Sequence, residues 1–295
     1  MKVLIIGHEG YLGRGLYHYF RQRHEVIGWE KRDDLFTLTT EFLKKEKVDL
    51  LINLSVIAER ASANFCIGTA GDLVTVGGAR HIAQIVKDTD IMWIQMSTRE
   101  VFGPVYTADD VQATANGFRP KFLVAETHPY APVNSYGKSK LMSEFIAESH
   151  PRSNIIRLTS CYTDYDHPAG TWVVSLLRGV VNRKPVSLTQ GGGQQFRDPL
   201  HSDDLGRLIE LLFERDIRGQ RIHAGGGKDN MISLAEFVRI ADSSVAIDTA
   251  PGGDYGFAFD ITKAQQLCGW SPTISVRERI PLVADNIRRG IDQPI

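Results

Sequence analysis

Aliphatic residues fall along the chain in short unbroken runs separated by amphipathic stretches. Val3-Leu4-Ile5-Ile6 is continuous rather than alternating, as in a strand covered on both faces. Leu12, Leu16, Tyr19 and Phe20 then recur at helical spacing as far as Arg23. Glu25-Val26-Ile27-Gly28-Trp29 reads as a second strand, and Leu50-Leu51-Ile52-Asn53-Leu54 as a third. Between them a short helix from Glu41 to Lys47 is expected, with Thr39 or Thr40 as its N-cap. Leu73, Val76, Ala79, Ile82, Ala83 and Val86 form the apolar stripe of a helix from Asp72 to Lys87. Strands follow from Ile91 to Met96 and from Asn154 to Leu158. Beyond Tyr162 the alternation loosens. Trp172 to Asn182 reads as a helix stopped by Pro185, and Val186-Ser187-Leu188 as a short strand. The pattern predicts an α/β fold, a Rossmann-type doubly wound parallel sheet with a smaller C-terminal lobe. Residues 1–160, with a return segment at about 200–224, would form the sheet domain; 161–199 and 225–295 would form the lobe.

Three features on this frame carry chemistry. The first strand runs into Gly7, Gly10 and Gly13 and then into a helix, a geometry that points backbone N–H groups at a phosphate. Gly7 permits the tight turn, Gly10 lets a pyrophosphate approach, and Gly13 lets helix and strand pack closely. Glu30 ends the second strand about twenty residues on, where a carboxylate accepts hydrogen bonds from an adenosine ribose and favours NAD over NADP. Lys31 and Arg32 suit a 2′-phosphate, so NADP stays open, and Asp33-Asp34-Leu35 sits where a loop meets the adenine. The second feature is Thr98, delivered to the carboxyl end of a strand, where ligands bind in open parallel sheets. The third is Asn134-Ser135-Tyr136-Gly137-Lys138-Ser139-Lys140-Leu141. Tyr136 and Lys140 are four apart in what reads as a first helical turn, so phenol and ammonium share a face. A cation beside a phenol favours the phenolate and makes it a better acid or base near neutral pH. On spacing alone, a packed tyrosine beside a solvated lysine is what most such pairs are.

Composition narrows the classes. Lysine and arginine number 34 against 35 acidic residues, a net charge of −1, which gives no footprint for nucleic acid or an anionic membrane. No apolar stretch approaches the ~20 residues of a membrane helix, and the run after Met1-Lys2 is too short for a signal peptide. Cys66, Cys161 and Cys268 are far apart and odd in number, which suits a reducing cytoplasm. His201 and Asp203 are too isolated for a metal, so none is expected. Gly191-Gly192-Gly193 and Gly225-Gly226-Gly227-Lys228 lack the spacing of a phosphate-binding P-loop.

Taken in order, Gly7-x-x-Gly10-x-x-Gly13, Ser97-Thr98-Arg99-Glu100-Val101-Phe102-Gly103 and Tyr136-x-x-x-Lys140 resemble the extended short-chain dehydrogenase/reductase superfamily. Within it the chain is most similar to the NAD-dependent epimerase/dehydratase family acting on nucleotide sugars. Gln195 to Asp204 resembles that family's segment reaching the substrate diphosphate. His223 to Gly227, Ser233 to Glu236 and Leu267 to Pro272 resemble its C-terminal signatures. The resemblance implies transient oxidation of a sugar hydroxyl by bound NAD, then epimerisation or dehydration, with the lobe binding substrate. Thr98 would hydrogen-bond the reacting sugar oxygen and Tyr136 would pass the proton. Lys140 would hold the nicotinamide ribose and depress the tyrosine's pKa, while Glu100 would serve as a second base. Gly7, Gly10, Tyr11, Leu12, Gly13, Glu30, Asp34, Leu35, Leu54, Ser55, Met96, Tyr136 and Lys140 would bind the cofactor. Thr98, Ser160 and Arg197 would meet the nucleotide-sugar substrate, Arg197 by a bidentate grip on the diphosphate. A homodimer paired through the helix of Tyr136 and its neighbour is implied likewise.

The chain also departs from the family's pattern. Arg99 stands where some dehydratases place an acidic proton donor, and a guanidinium does not give up its proton. Thr75 and Ser160 each stand where an asparagine is usual. These departures keep open an NAD(P)H-dependent reductase of a 4-keto-deoxysugar nucleotide and, more distantly, a non-catalytic dinucleotide-sensing regulator. Other readings remain too: Glu100 in an ion pair fixing its loop, Arg197 in a salt bridge with Asp198, and Phe118 to Phe122 as a lid or a plain surface loop.

Overall fold

Each aliphatic run becomes a strand and each amphipathic stretch a helix laid across it. The computed structural model describes residues 1–29, 32–58, 65–168, 171–188, 191–250 and 252–291, the side chains of 32–34 excepted. The first half contains β1 (Lys2–Ile6), α1 (Tyr11–Arg21), β2 (Glu25–Trp29), α2 (Thr40–Glu46), β3 (Leu50–Asn53), α3 (Gly77–Val86) and β4 (Met92–Thr98). A hairpin of β5 (Val111–Thr114) and β6 (Gly117–Pro120) precedes α4 (Ser135–Glu148), β7 (Ser153–Leu158) and β8 (Ser160–Tyr162). The second half runs α5 (Trp172–Val181), β9 (Val186–Leu188), β10 (Phe196–Arg197), β11 (Pro199–His201), α6 (Ser202–Glu214) and β12 (Gln220–Ala224). It ends with β13 (Ile232–Ser233), α7 (Leu234–Ala241), β14 (Ile247–Thr249), α8 (Thr262–Cys268) and α9 (Val276–Arg288).

Six strands form the central sheet in the order β12-β7-β4-β3-β1-β2, every pairing parallel. This is the Rossmann-type α/β architecture that the sequence predicts. The chain leaves β1 toward β2 on one side and returns to β3 on the other, so a crevice opens at the carboxyl ends of β1 and β3. Alternate residues of β1 face opposite layers. Val3 and Ile5 join Leu16, Phe20, Leu205 and Leu208 on the α1 and α6 side, whereas Leu4 and Ile6 join Leu35, Ile82 and Val86 on the other. Ala264, Cys268 and Trp270 belong to the first of these layers, and Trp270 Nε1 donates to the Asp204 carbonyl at 2.8 Å. Part of the tail expected in the lobe therefore lies against the sheet.

The remaining C-terminal elements pack on one another: Val173 and Leu177 of α5, Phe237 of α7, and Ile280 and Val283 of α9 share one buried cluster. The β5–β6 hairpin docks on this side. Phe118 N–H donates to the Gln194 carbonyl at 2.8 Å, its ring meets Tyr255 edge-on at 5.4 Å, and Val124 pairs with Phe259 in an isolated bridge.

One element departs from its expected register. The helix expected from Asp72 opens with a π-helical turn over Gly71–Val76 before α3 begins. That wider turn takes up an extra residue and rotates the rest of the helix about its axis. Leu73, assigned to the apolar stripe, is 57% exposed, while Asp72 and Thr75 are buried. Both buried polar groups are used: Asp72 accepts from Gly68 N–H at 2.8 Å and Thr75 Oγ1 from Ile57 N–H at 3.2 Å. β3 stops at Asn53, one residue short of the expected Leu54.

Candidate active site

The glycine turn leaves no room for side chains. Gly7 has φ +83°, a conformation that favours glycine, and donates its N–H to the Trp29 carbonyl at 2.9 Å. A Cβ on Gly13 would lie 2.0 Å from the Gly7 carbonyl oxygen and 2.7 Å from His8 Cα. Gly10 is the N-cap of α1 and offers no side-chain cap; the first turn holds no acidic residue. The N-terminal end of an 11-residue helix thus presents its N–H groups and positive dipole beside a Cβ-free cradle, which fits a pyrophosphate. Leu54 closes one side, 3.5 Å from where a Gly7 Cβ would stand. Tyr11 is pinned beneath, its hydroxyl accepting from Thr163 N–H at 3.0 Å and its carbonyl from Tyr165 at 2.5 Å, while Leu12 packs on the sheet core. Ser55 donates to Asn53 Oδ1 at 2.6 Å, and the Asn53 amide donates to Gln95 at 2.8 Å, so the loop after β3 is held. Leu35 is a core residue, 1% exposed and close against Gly78. Glu30 lies outside the described residues, as does the side chain of Asp34.

Asn134 caps α4, its Oδ1 accepting from Gly137 N–H at 2.8 Å. Two side chains of that helix, Tyr136 and Lys140, are buried, at 8% and 3% exposure. Lys140 Nζ donates to the Met96 carbonyl at 3.0 Å and reaches the Ser55 carbonyl at 3.5 Å. It therefore sits across the carboxyl ends of β3 and β4 and is no solvated lysine. Burial pushes its ammonium down to about 8, opposed by the charge of Glu144. Thr98 ends β4 and is buried; its Oγ1 accepts from Glu100 N–H at 3.2 Å and caps the turn Arg99–Val101.

Glu100 meets the cap residue of α4: Asn134 Nδ2 donates to its Oε2 at 2.6 Å. Its carboxylate thus ties the turn after β4 to the start of α4. Arg99 lays its guanidinium over the Phe257 ring, 5.2 Å from the centroid, a cation–π contact rather than a proton donor's position. Ser160 Oγ accepts from Trp172 Nε1 at 2.9 Å.

The expected alternative for Arg197, a salt bridge with Asp198, is corrected. Neighbouring residues of an extended strand point opposite ways. Arg197 turns to Asp254, donating from Nη2 at 2.6 Å, and to the Phe196 carbonyl at 2.8 Å. Asp198 turns inward, fully buried, with Oδ2 accepting from Phe259 N–H at 3.1 Å; burial pushes its carboxyl up to about 7.

Three partners escape the sequence reading. Asp254 stands in a glycine-rich loop with nothing to mark it. Asn134 shows only as a standard helix cap. Glu144 had a signal, since it comes after Lys140 by the same step of four that separates Lys140 from Tyr136. Among the described residues no three His, Cys, Asp or Glu side chains converge as metal ligands, and no helix is long and apolar enough to cross a membrane.

Comparison with known proteins points the same way. A family model described as the NAD dependent epimerase/dehydratase family matches residues 3–225. The dTDP-glucose 4,6-dehydratase of Xanthomonas campestris pv. campestris is 23% identical over 276 residues, covering 84% of this chain and 75% of its own. Alignments with three further dehydratases of that name span 53% to 66% of their lengths. Among solved structures, a UDP-glucuronic acid 4-epimerase from Bacillus cereus, in complex with UDP-glucuronic acid and NAD, superposes with TM-score 0.80 at 19% identity. The match covers 98% of this chain and 99% of that one. A dTDP-4-dehydrorhamnose reductase from Clostridium acetobutylicum superposes with TM-score 0.72 at 18% identity, covering 98% and 100%.

Proposed function

The chain belongs to the NAD dependent epimerase/dehydratase family, and on that premise we propose that it oxidises a hydroxyl of a nucleotide sugar transiently and then epimerises or dehydrates the ketone. The observation that carries the reading is Lys140, buried across the ends of β3 and β4 with Tyr136 one turn before it and Thr98 ending β4. The cradle of Gly7, Gly10 and Gly13 would hold the pyrophosphate of NAD, and Ser55, Met96 and Lys140 would hold its nicotinamide ribose. When bound, NAD supplies the hydride acceptor and returns the hydride to the sugar carbon.

The side chains divide the remaining work. Thr98 orients the reacting sugar oxygen by hydrogen bonding. Tyr136 takes the hydroxyl proton, so no full alkoxide charge builds up as the hydride leaves. Lys140 supplies the positive charge that favours the phenolate. Glu100, in reach of the same turn, serves as second base or as anchor of the Asn134 cap. Arg197 binds the diphosphate and Ser160 lies on the substrate side. In this reading residues 1–160 and about 200–224 carry the cofactor, while 161–199 and 225–295, apart from the stretch around α8 that packs on the sheet, build the substrate-binding lobe.

Mass spectrometry of freshly purified protein, followed by a panel of nucleotide sugars, tests the proposal. A rearranging enzyme retains NAD and gives product with no net absorbance change at the nicotinamide band. Stoichiometric loss of NAD(P)H absorbance with a 4-keto sugar nucleotide would instead establish a reductase. Arg99 over Phe257 favours keeping that second reading, because the turn lacks an acidic proton donor at that position.

Arg197 gives a prediction of its own. A diphosphate has to displace Asp254 from the guanidinium. Asp254→Asn should therefore lower KM for the nucleotide sugar by about threefold to tenfold, the effect of removing a charged hydrogen-bond partner from a guanidinium whose side chain is only 10% exposed, with kcat unchanged in steady-state assays.

We also propose a homodimer through α4 and the adjoining π-helical turn, where Phe145 and Leu73 remain 51% and 57% exposed. Phe145→Glu should yield monomers in sedimentation velocity. The proposed location is the cytoplasm, which suits free thiols at Cys66, Cys161 and Cys268.

A further inference from the structure

Behind the candidate site lies a polar cluster closed to solvent. Glu144 and Arg157 form an ion pair with both side chains at 0% exposure. Arg157 Nε donates to Glu144 Oε1 at 2.9 Å and Nη2 to Oε2 at 2.6 Å, the parallel fork of a guanidinium on a carboxylate. Ser97, the residue before Thr98, donates its hydroxyl to the same Oε1. Arg157 Nη2 also donates to the Tyr130 hydroxyl at 2.7 Å, and its guanidinium lies over the Phe102 ring at 5.1 Å. Nη1 faces His223 Nε2 at 3.4 Å. His223 is held neutral by burial and by that guanidinium, so Nε2 is its acceptor and Nδ1–H donates to the Val124 carbonyl at 3.0 Å.

Stability does not account for such a pair. Burying two charges costs desolvation that the attraction barely returns, and apolar residues of similar size often do as well or better. Directed bonds supply position instead. Tyr136, Lys140 and Glu144 are spaced by four on α4 and share one face. Along β4 that face meets the Met96 carbonyl through Lys140 and the Ser97 hydroxyl through Glu144. Arg157, on neighbouring β7, fixes Glu144 from the side.

We propose that Glu144, clamped by Arg157 and Ser97, is a positioning residue that sets the height of α4 along β4, so that Tyr136 and Lys140 stand opposite Thr98, and that it is the counter-charge of Lys140. The proposal rests on the transient-oxidation reading for its turnover readout and on cofactor binding alone for the other. Elements packed on α4 bring further charges: Arg157 from β7, Arg99 and Glu100 from the turn after β4, Asp72 from the π-helical turn, and Arg80 and His81 from α3. Arg157 is spent on Glu144, Arg99 lies over Phe257, Glu100 holds Asn134, Asp72 holds Gly68, and His81 faces the Leu38 carbonyl. Arg80 is exposed. Glu144 is the charge that opposes loss of the Lys140 proton.

Three variants of the full chain test it: Glu144→Gln, Glu144→Asp and the apolar pair Glu144→Leu with Arg157→Met. NAD affinity is titrated by tryptophan fluorescence from about pH 6 to about pH 10, spanning the ordinary lysine range. Turnover is measured on the nucleotide sugar found by the panel. Without its counter-charge Lys140 loses its proton at lower pH, so Glu144→Gln should move the alkaline fall in NAD affinity to lower pH. It should also reduce kcat by about tenfold to hundredfold, as a misplacement of about 1 Å does, with KM within about threefold. Glu144→Asp should restore the alkaline limb but not kcat. The apolar pair should melt at or above the parent's temperature while kcat stays low. An alkaline limb unmoved in Glu144→Gln, or parental turnover in the apolar pair, overturns the proposal. Tyr136→Phe is the control: turnover surviving there refutes transient oxidation, whereas the NAD titration needs no sugar and judges Glu144 regardless.

Discussion

Tyr136→Phe removes turnover, by about a hundredfold to ten-thousandfold, the range of a lost acid–base group, while NAD still binds. The substitution deletes one oxygen from a side chain that is 8% exposed, so neither the packing of α4 nor the glycine cradle changes shape. In the proposed mechanism every step in which a proton leaves or rejoins the sugar oxygen passes through that phenol. The loss should therefore fall on kcat, with KM nearly constant, because the oxygen's interaction tightens in the transition state. Single-turnover measurement of nicotinamide absorbance with the identified nucleotide sugar checks this. Parental kcat in the variant removes Tyr136 from the chemistry.

Gly13→Ala abolishes cofactor binding. A methyl group there would stand 2.0 Å from the Gly7 carbonyl oxygen and 2.7 Å from His8 Cα, distances that no rotamer change relieves because both partners are backbone. Either α1 moves off β1 or the turn at Gly7 opens, and each displaces the N–H groups proposed to hold the pyrophosphate. Isothermal titration with NAD should show affinity weaker by at least about a hundredfold, and the variant should purify without the cofactor. A lowered melting temperature is expected as well, since the same contact packs helix on strand. Unchanged affinity would place the pyrophosphate elsewhere. Gly10→Ala is the milder neighbour: its Cβ would come to 3.3 Å from the Gly7 oxygen, so a partial loss is expected.

The two residues also show why some of the site can be read along the chain and some cannot. Strands covered on both faces leave continuous aliphatic runs, and helices over them leave a period of 3.6, so β1, β3, β4 and their order of appearance are visible in the residues themselves. Glycines that must lack a side chain are visible for the same reason. Tyr136 and Lys140 are local to one helical turn, and their spacing carries the geometry. Arg197 is different: its partner Asp254 lies 57 positions away in a loop, and nothing in either segment pairs them. Asp198, next in sequence, is the closer guess and the wrong one, because an extended strand turns successive side chains apart. Leu73 misleads through local geometry, since a π-helical turn of six residues is too short for its wider period to be read. Glu144 shows a related effect: its spacing is legible, but that it is buried against Arg157 depends on β7 lying beside β4, a fact of tertiary structure.

The hairpin between β4 and α4 bears on how this protein can be recombined with its relatives. In sequence it interrupts the sheet domain, yet it is sewn to the other side of the molecule by Phe118 on Gln194 and Tyr255 and by Val124 on Phe259. Tyr106 continues the seam, its hydroxyl donating to the Phe122 carbonyl at 3.0 Å beside the Phe196 ring. A chimera cut only after β12 would exchange one half of that seam and strand Phe118 and Val124 against foreign residues at positions 255 and 259. On the proposed division of the chain, the smallest transplantable specificity unit is therefore discontinuous: the tail must travel with the segment from about 104 to about 133, or the proposed substrate pocket will be assembled around a mismatched wall.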